Sequence, residues 1–77
     1  MIVIIEIIYR CNGEEFKEDD LIQVIRQDMF TGEKIEVVGR VIKSVLNTEI
    51  TLDTSTRYHA ETIAINLKEI LKINKIQ

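Results

Sequence analysis

Turn-forming residues divide this chain of 77 residues into short apolar or alternating stretches. Asn12-Gly13 is typical of a two-residue β-hairpin turn, whose central positions need positive φ angles. Thr31-Gly32, Asn47-Thr48 and the polar run 53–56 mark further turns. Several short strands separated by such turns predict an all-β fold, either a small barrel or a sandwich. The predicted strand stretches are residues 2–10, 21–27, 34–46, 49–53 and 57–65.

Length and composition predict one small domain over residues 1–77. Apolar residues make up 45% of the chain and charged residues 30%, which are ordinary values for globular proteins. Aromatic side chains are scarce, so the core is expected to be mainly aliphatic. The β-branched side chain of isoleucine, which dominates the sequence, suits a sheet more than a helix.

Alternation indicates which side chains of two strands face the core. Ile35, Val37, Gly39 and Val41 fall on one side of an extended chain, and Ile50 and Leu52 share one side of the next stretch. The strand that contains Gly39 is long. It is therefore expected to bend at this glycine and to serve both sides of a barrel.

The C-terminal segment is predicted to begin with a helical turn. Asn66 is a suitable N-cap for residues 67–71, and Glu69 stands where a capping-box acid lies. Apolar residues then recur at every third position, which suits either one helical turn followed by a strand or a continuous helix. The segment is short for an isolated helix, so a turn followed by a closing strand is favoured.

The charge of the chain is unevenly distributed. The net charge is −3 and the pI about 5.1, far below the basic values typical of domains that bind nucleic acid through their overall charge. Residues 1–33 carry three basic and eight acidic side chains, a net charge of −5, whereas residues 34–77 carry seven and five, a net charge of +2. Such an asymmetry can steer a partner or a second copy of the chain, with two ordinary solvated faces as the alternative.

Cysteine usage and the N-terminus indicate the compartment. Cys11 is the only cysteine, which excludes an internal disulfide and favours the reducing cytoplasm. The apolar residues 1–9 lack a basic start and a small-residue cleavage site, and Glu6 interrupts them. We interpret this stretch as a strand, neither a targeting segment nor a membrane span.

The sequence contains no clear catalytic or metal-binding constellation. His59 and Cys11 are the only histidine and thiol, and nothing indicates a third group that would orient them. The acidic run 14–20 lacks the glycine and the final glutamate of a calcium-binding loop and is interpreted as a solvated loop. A chain without enzymatic activity, metal or cofactor is therefore expected.

A group of basic and aromatic side chains is the candidate patch for nucleic acid or another partner. Arginine beside an aromatic ring is how small β domains hold single-stranded nucleic acid. Acidic residues lie among these side chains, so an ordinary solvated surface is the alternative. The candidate residues are Arg26, Arg40, Lys43, Arg57, Tyr58 and His59.

The first predicted strand is apolar on both sides, and Ile2, Ile4 and Ile8 share one face. Such a strand needs cover on both faces, and a domain of this size has little with which to cover the second. A second copy of the chain is therefore expected to pack on these three residues, giving a homodimer or larger homo-oligomer. A central strand beneath the C-terminal turn is the competing interpretation.

One set of strand and turn positions comprises residues 37–42, Asn47, residues 50–52 and residues 70–73. Together these positions resemble the strand pattern of Sm-like and SH3-like small barrels. The resemblance implies a mainly β fold, an antiparallel barrel of five or six strands with a short C-terminal helical turn. The Sm-like pattern would pair Asn47 with an aspartate and place a glycine after the late basic residue, whereas here Ile73 follows Lys72. The RNA-binding residues of that family therefore have no counterparts in this chain.

These observations predict a small, non-catalytic interaction protein. Its expected partner is another protein, including a second copy of itself. A module that binds single-stranded RNA or DNA is the alternative. The sequence names no specific partner.

Overall fold

The computed structural model describes residues 8–11 and 13–76. These residues form seven strands, and a 3₁₀ turn at Leu67–Glu69 separates the last two. The strands are β1 (Ile8–Cys11), β2 (Glu14–Lys17), β3 (Leu21–Gln27), β4 (Lys34–Ile42), β5 (Glu49–Asp53), β6 (Thr62–Asn66) and β7 (Ile70–Lys75). The predicted stretches 21–27 and 49–53 are confirmed as β3 and β5.

The strands form two antiparallel sheets. β1 and β2 pair as a separate hairpin, and the other strands form a sheet in the order β6-β5-β4-β3-β7. The prediction of a barrel of five or six strands is wrong for the described residues: seven strands are present, and β6 and β7 are the edges of an open sheet. The sheet is not closed because β6 and β7, although joined by only the 3₁₀ turn, do not pair with each other among the described residues, and β1 and β2 pair there only with each other.

β4 lies at the centre of the larger sheet, between β3 and β5. It pairs with β3 along residues 34–40 but with β5 only along residues 40–42. A Cβ atom on Gly39 would lie 2.7 Å from the backbone oxygen of Asp53 and 3.1 Å from the Cβ atom of Leu52. The end of β5 can approach β4 this closely only because glycine has no side chain.

The core lies between the inner face of the sheet and the hairpin. Tyr9 and Phe16 are register partners in the hairpin, and both belong to the core region. The Tyr9 hydroxyl also shares a hydrogen bond with Ser44 Oγ (3.1 Å) and donates one to the Glu49 carbonyl (3.2 Å), which ties the hairpin to the sheet. The buried core side chains are Phe16, Ile22, Val24, Val37, Val41, Ile50, Leu52, Ile65 and Ile73.

The interpretation of residues 14–20 as a solvated loop is wrong for their first half. Glu14–Lys17 is strand β2, and Phe16 is completely buried between exposed neighbours. One inward side chain suffices to anchor a strand when its partner strand supplies Tyr9 opposite.

The C-terminal prediction of a turn followed by a strand is confirmed. The Asn66 side chain accepts a hydrogen bond of 2.9 Å from the Lys68 backbone N–H and so caps the 3₁₀ turn. β7 begins directly afterwards, at Ile70.

Candidate interaction surface

The connection between β3 and β4, residues 28–33, is a turn with a fixed backbone, here called the Asp28 turn. Asp28 Oδ1 accepts hydrogen bonds from the backbone N–H groups of Phe30 (2.7 Å) and Thr31 (3.1 Å). The Asp28 carbonyl accepts from the Gly32 N–H (2.8 Å), and the Asp28 N–H donates to the Glu33 carbonyl (2.9 Å). Gly32 adopts a φ of +73°, which a side chain would disfavour. The turn is therefore held in one conformation by its own polar groups.

This rigid turn presents two large apolar side chains to solvent. Phe30 is fully exposed, and Met29 is 74% exposed. Hydrogen bonds from the backbone N–H groups of Phe30 and Thr31 lower the pKa of the Asp28 carboxyl group, so it is ionised at neutral pH. The tip of the turn thus combines an exposed apolar surface with a fixed negative charge.

The Asp28 turn borders the start of β7. A cleft of about 380 Å³ separates Met29 and Asp28 from Lys68, Glu69 and Leu71. The Leu71 side chain is exposed here. The apolar surface of the turn therefore continues across this cleft toward β7.

A second recess lies on the other side of the 3₁₀ turn, between the hairpin and the sheet. This apolar cavity has a volume of about 350 Å³. Ile8 and Leu67 are exposed lining residues, whereas Phe16, Ile50 and Ile73 line it from the core. Among residues 8–11 and 13–76, Tyr9, Arg10, Cys11 and Ile70 also line this cavity.

The connection between β5 and β6, residues 54–61, is a second ordered loop, here called the Tyr58 loop. The Thr54 N–H donates to the Glu61 carbonyl (3.0 Å), and the Glu61 N–H donates to Ser55 Oγ (2.9 Å). At its tip, Tyr58 is 91% exposed, and the Arg57 guanidinium lies 6.0 Å from the centre of its ring.

Hydrogen bonds from the side chain and the backbone N–H of Ser55 lower the pKa of Asp53 at the base of the Tyr58 loop. His59 Nε2 lies 3.3 Å from Glu61 Oε2, and both side chains are largely exposed. An acidic group therefore stands beside the basic side chains of this loop.

The structure brings together only part of the basic patch inferred from the sequence. Arg57, Tyr58 and His59 share the Tyr58 loop, and Arg40 lies at its base, opposite Asp53 in the strand register. The Arg40 guanidinium donates a hydrogen bond to the Asp19 carbonyl (3.0 Å). A cleft of about 270 Å³ runs between Arg40 and the first residues of the loop.

Arg26 and Lys43 lie elsewhere. Arg26 is five residues along β3 from the register partner of Arg40, a separation of roughly 17 Å at about 3.4 Å per residue. Its Nε atom is 3.7 Å from Glu69 Oε2, both side chains are largely buried, and no described atom forms a hydrogen bond with this Nε. Lys43 is an exposed residue directly after β4. Arg26 thus belongs to the end of the sheet that carries the Asp28 turn.

Of the three residues inferred to mediate self-association, Ile8 is exposed beside the cavity. Ile2 and Ile4 lie outside the described residues.

Sequence reasoning missed Met29 and Phe30. The available signal was an unusual turn, Asp28-Met-Phe-Thr-Gly32, in which two large apolar residues occupy central positions that are commonly polar. Periodicity cannot find such residues, because they belong to no strand face.

No protein-family model, curated protein or solved structure matches this chain. Within residues 8–11 and 13–76 there is no group of three or more His, Cys, Asp and Glu side chains arranged to hold a metal ion. The same residues include no helix with the length and apolar character needed to span a bilayer. Functional proposals therefore depend on the geometry of the exposed sites.

Proposed function

We propose that this chain is a non-catalytic interaction domain that binds another protein through the Asp28 turn. The observation that carries the proposal is a fully exposed Phe30 on a backbone fixed by hydrogen bonds. A turn whose backbone is already restrained before binding loses less conformational freedom on association than a flexible one. Aromatic anchors of this kind dominate the binding energy of many protein interfaces.

The charge beside Phe30 favours a protein over an anionic partner. Asp28 is ionised, and the exposed Glu33 ends the same turn. Carboxylates here oppose contact with the phosphates of nucleic acid and with anionic lipid headgroups. A protein surface with an apolar pocket and a basic rim matches both features of the turn.

The expected strength of this contact follows from apolar burial. Covering a phenylalanine side chain completely contributes about 1.5–3 kcal/mol, which corresponds to a factor of about ten to a hundred in the dissociation constant. Phe30 is fully exposed in the single chain, so it contributes little to the free energy of folding. Its substitution is therefore expected to weaken binding without destabilising the fold.

The proposal is tested by capture from a lysate of the source cells, followed by reconstitution with each captured protein in purified form. Phe30→Ser should weaken the reconstituted complex by about tenfold to a hundredfold in titration calorimetry. The matched control is Val45→Ser, because Val45 is 93% exposed but lies in the connection between β4 and β5. Equal affinities for the two variants would refute a role for the Asp28 turn.

The proposal includes membership of the SH3-like or Sm-like small β domains. The strand order, the close approach of β5 to Gly39 in β4 and the 3₁₀ turn before the last strand support it. A cytoplasmic location is also proposed, since a single cysteine suits a reducing compartment.

Single-stranded nucleic acid is a second candidate, favoured by the Tyr58 loop alone. An exposed tyrosine beside an arginine is a stacking platform with a cation for the phosphate backbone. Binding of a labelled oligothymidylate should then weaken steeply between about 50 and 200 mM salt, and Arg57→Glu should abolish it. Fluorescence anisotropy measures the affinity for the labelled oligothymidylate. An affinity that does not change with salt, or an Arg57→Glu variant that binds as tightly as the wild type, would eliminate this candidate.

A further inference from the structure

We propose that the partner of the Asp28 turn is a second copy of this chain, and that each copy inserts Phe30 into the apolar cavity of the other. This inference rests on the proposed function, since it names the partner of the same turn. It differs from the sequence-based hypothesis of self-association because the contact is made by the turn and the cavity together.

The cavity has the size and chemistry that an aromatic side chain needs. Its volume of about 350 Å³ lies within the range of about 300–1,000 Å³ found for sites that enclose small apolar ligands. Phe16, Ile50 and Ile73 provide an apolar floor, and the exposed Ile8 and Leu67 side chains stand at the surface. Phe30 of the same copy is fully exposed and therefore does not occupy this cavity.

The position of the two elements permits a reciprocal exchange. Leu67 and Ile70 line the cavity, whereas Lys68, Glu69 and Leu71 line the cleft beside the Asp28 turn. The projecting turn and the receiving cavity are therefore neighbours, separated only by the 3₁₀ turn and the start of β7. A two-fold axis near this segment would place each turn over the cavity of the other copy, which gives a closed, self-complementary dimer.

Charge complementarity supports the same pairing. The inserted turn carries the carboxylates of Asp28 and Glu33, and Arg10 lines the receiving cavity. Arg10 Nε lies 3.1 Å from Glu15 Oε1, but both side chains are mostly exposed, so this ion pair is weak and can exchange partners. The association buries the exposed apolar side chains on both sides of the 3₁₀ turn.

The test is sedimentation velocity of the full chain over a concentration series up to about 100 µM, which detects dissociation constants in the micromolar range. The wild-type chain should form a dimer, and Phe30→Ser should raise its dissociation constant by about tenfold or more. Leu67→Glu should have a similar effect, because it places a carboxylate in the path of Asp28. Val45→Ser should sediment as the wild type, and circular dichroism with thermal melting establishes that all three variants are folded.

An equimolar mixture of the Phe30→Ser and Leu67→Glu variants gives the sharpest result. One copy retains the aromatic turn and the other retains the open cavity, so the mixture recovers one of the two contacts and should dimerise more tightly than either variant alone. A wild-type chain that stays monomeric, or a Phe30→Ser variant that dimerises normally, would overturn the inference. If the wild type is monomeric while a different captured protein still requires Phe30, only this inference fails and the proposed function stands.

Discussion

The Asp28 turn and the Tyr58 loop use the same device to present different chemistry. Asp28 directly after β3 accepts two backbone hydrogen bonds and Asp53 at the end of β5 accepts one, and an exposed aromatic residue stands at the tip of each connection. Phe30 is accompanied by Met29 and an ionised carboxylate, whereas Tyr58 is accompanied by Arg57. An ordered backbone alone therefore does not identify a partner. The side chains beside the aromatic ring distinguish a protein pocket from a phosphate backbone.

The largest expected difference between the two regions concerns protein binding. Phe30→Ser should weaken binding to a protein partner by about tenfold to a hundredfold, because a fully covered apolar ring is lost. Tyr58→Ser should change the same affinity by no more than about twofold. Titration calorimetry with the same purified partner measures the dissociation constant of each variant. A larger loss of affinity for Tyr58→Ser than for Phe30→Ser would assign the protein interface to the Tyr58 loop.

Gly39→Ala should disturb both regions together. β4 begins after the Asp28 turn, β5 ends at the Tyr58 loop, and the two strands meet at Gly39. A methyl group 2.7 Å from the Asp53 carbonyl oxygen forces the backbone apart, so we expect a loss of about 1–3 kcal/mol in the free energy of unfolding. Urea denaturation measures this loss. A variant as stable as the wild type would mean that the two strands separate easily.

Asp28→Ala should loosen only one of the two regions. The substitution removes the acceptor for the Phe30 and Thr31 amides, so their hydrogen exchange should accelerate by about tenfold, while amides of the Tyr58 loop keep their rates. Asp53→Ala should produce the reverse pattern through Ser55. Uniform acceleration in either variant would show that the two regions are not independent.

The smallest expected effect is the response to acid. The pKa values of Asp28 and Asp53 are lowered in the folded chain, so their contributions to stability are complete above the unfolded pKa of about 4 and are lost as the pH falls through the folded values. Thermal melting between about pH 6 and pH 3 should show a declining midpoint. Asp28→Asn should flatten this decline in part, since its amide oxygen can still accept the turn hydrogen bonds at every pH.

Local patterns predicted much of the fold and little of the candidate surface. Alternation identified Ile35, Val37, Val41, Ile50 and Leu52 as inward residues, and all of these are buried except Ile35, which is partly buried against the core. The pattern missed β2, because a single buried Phe16 among acidic residues contains no alternation that distinguishes a strand from a loop. It also grouped Arg26 with Arg40, although the two arginines lie toward opposite ends of β3.

Features that depend on neighbouring residues in the chain could be read from the amino-acid order. The strand bounds of β3 and β5 follow from side-chain period, and the Asn66 cap follows from local hydrogen bonding. The open sheet among the described residues, the full exposure of Phe30 and the position of the Asp28 turn next to the cavity are set by the packing of distant segments. Exposure and adjacency depend on which distant segments pack together, and a local pattern does not contain that information.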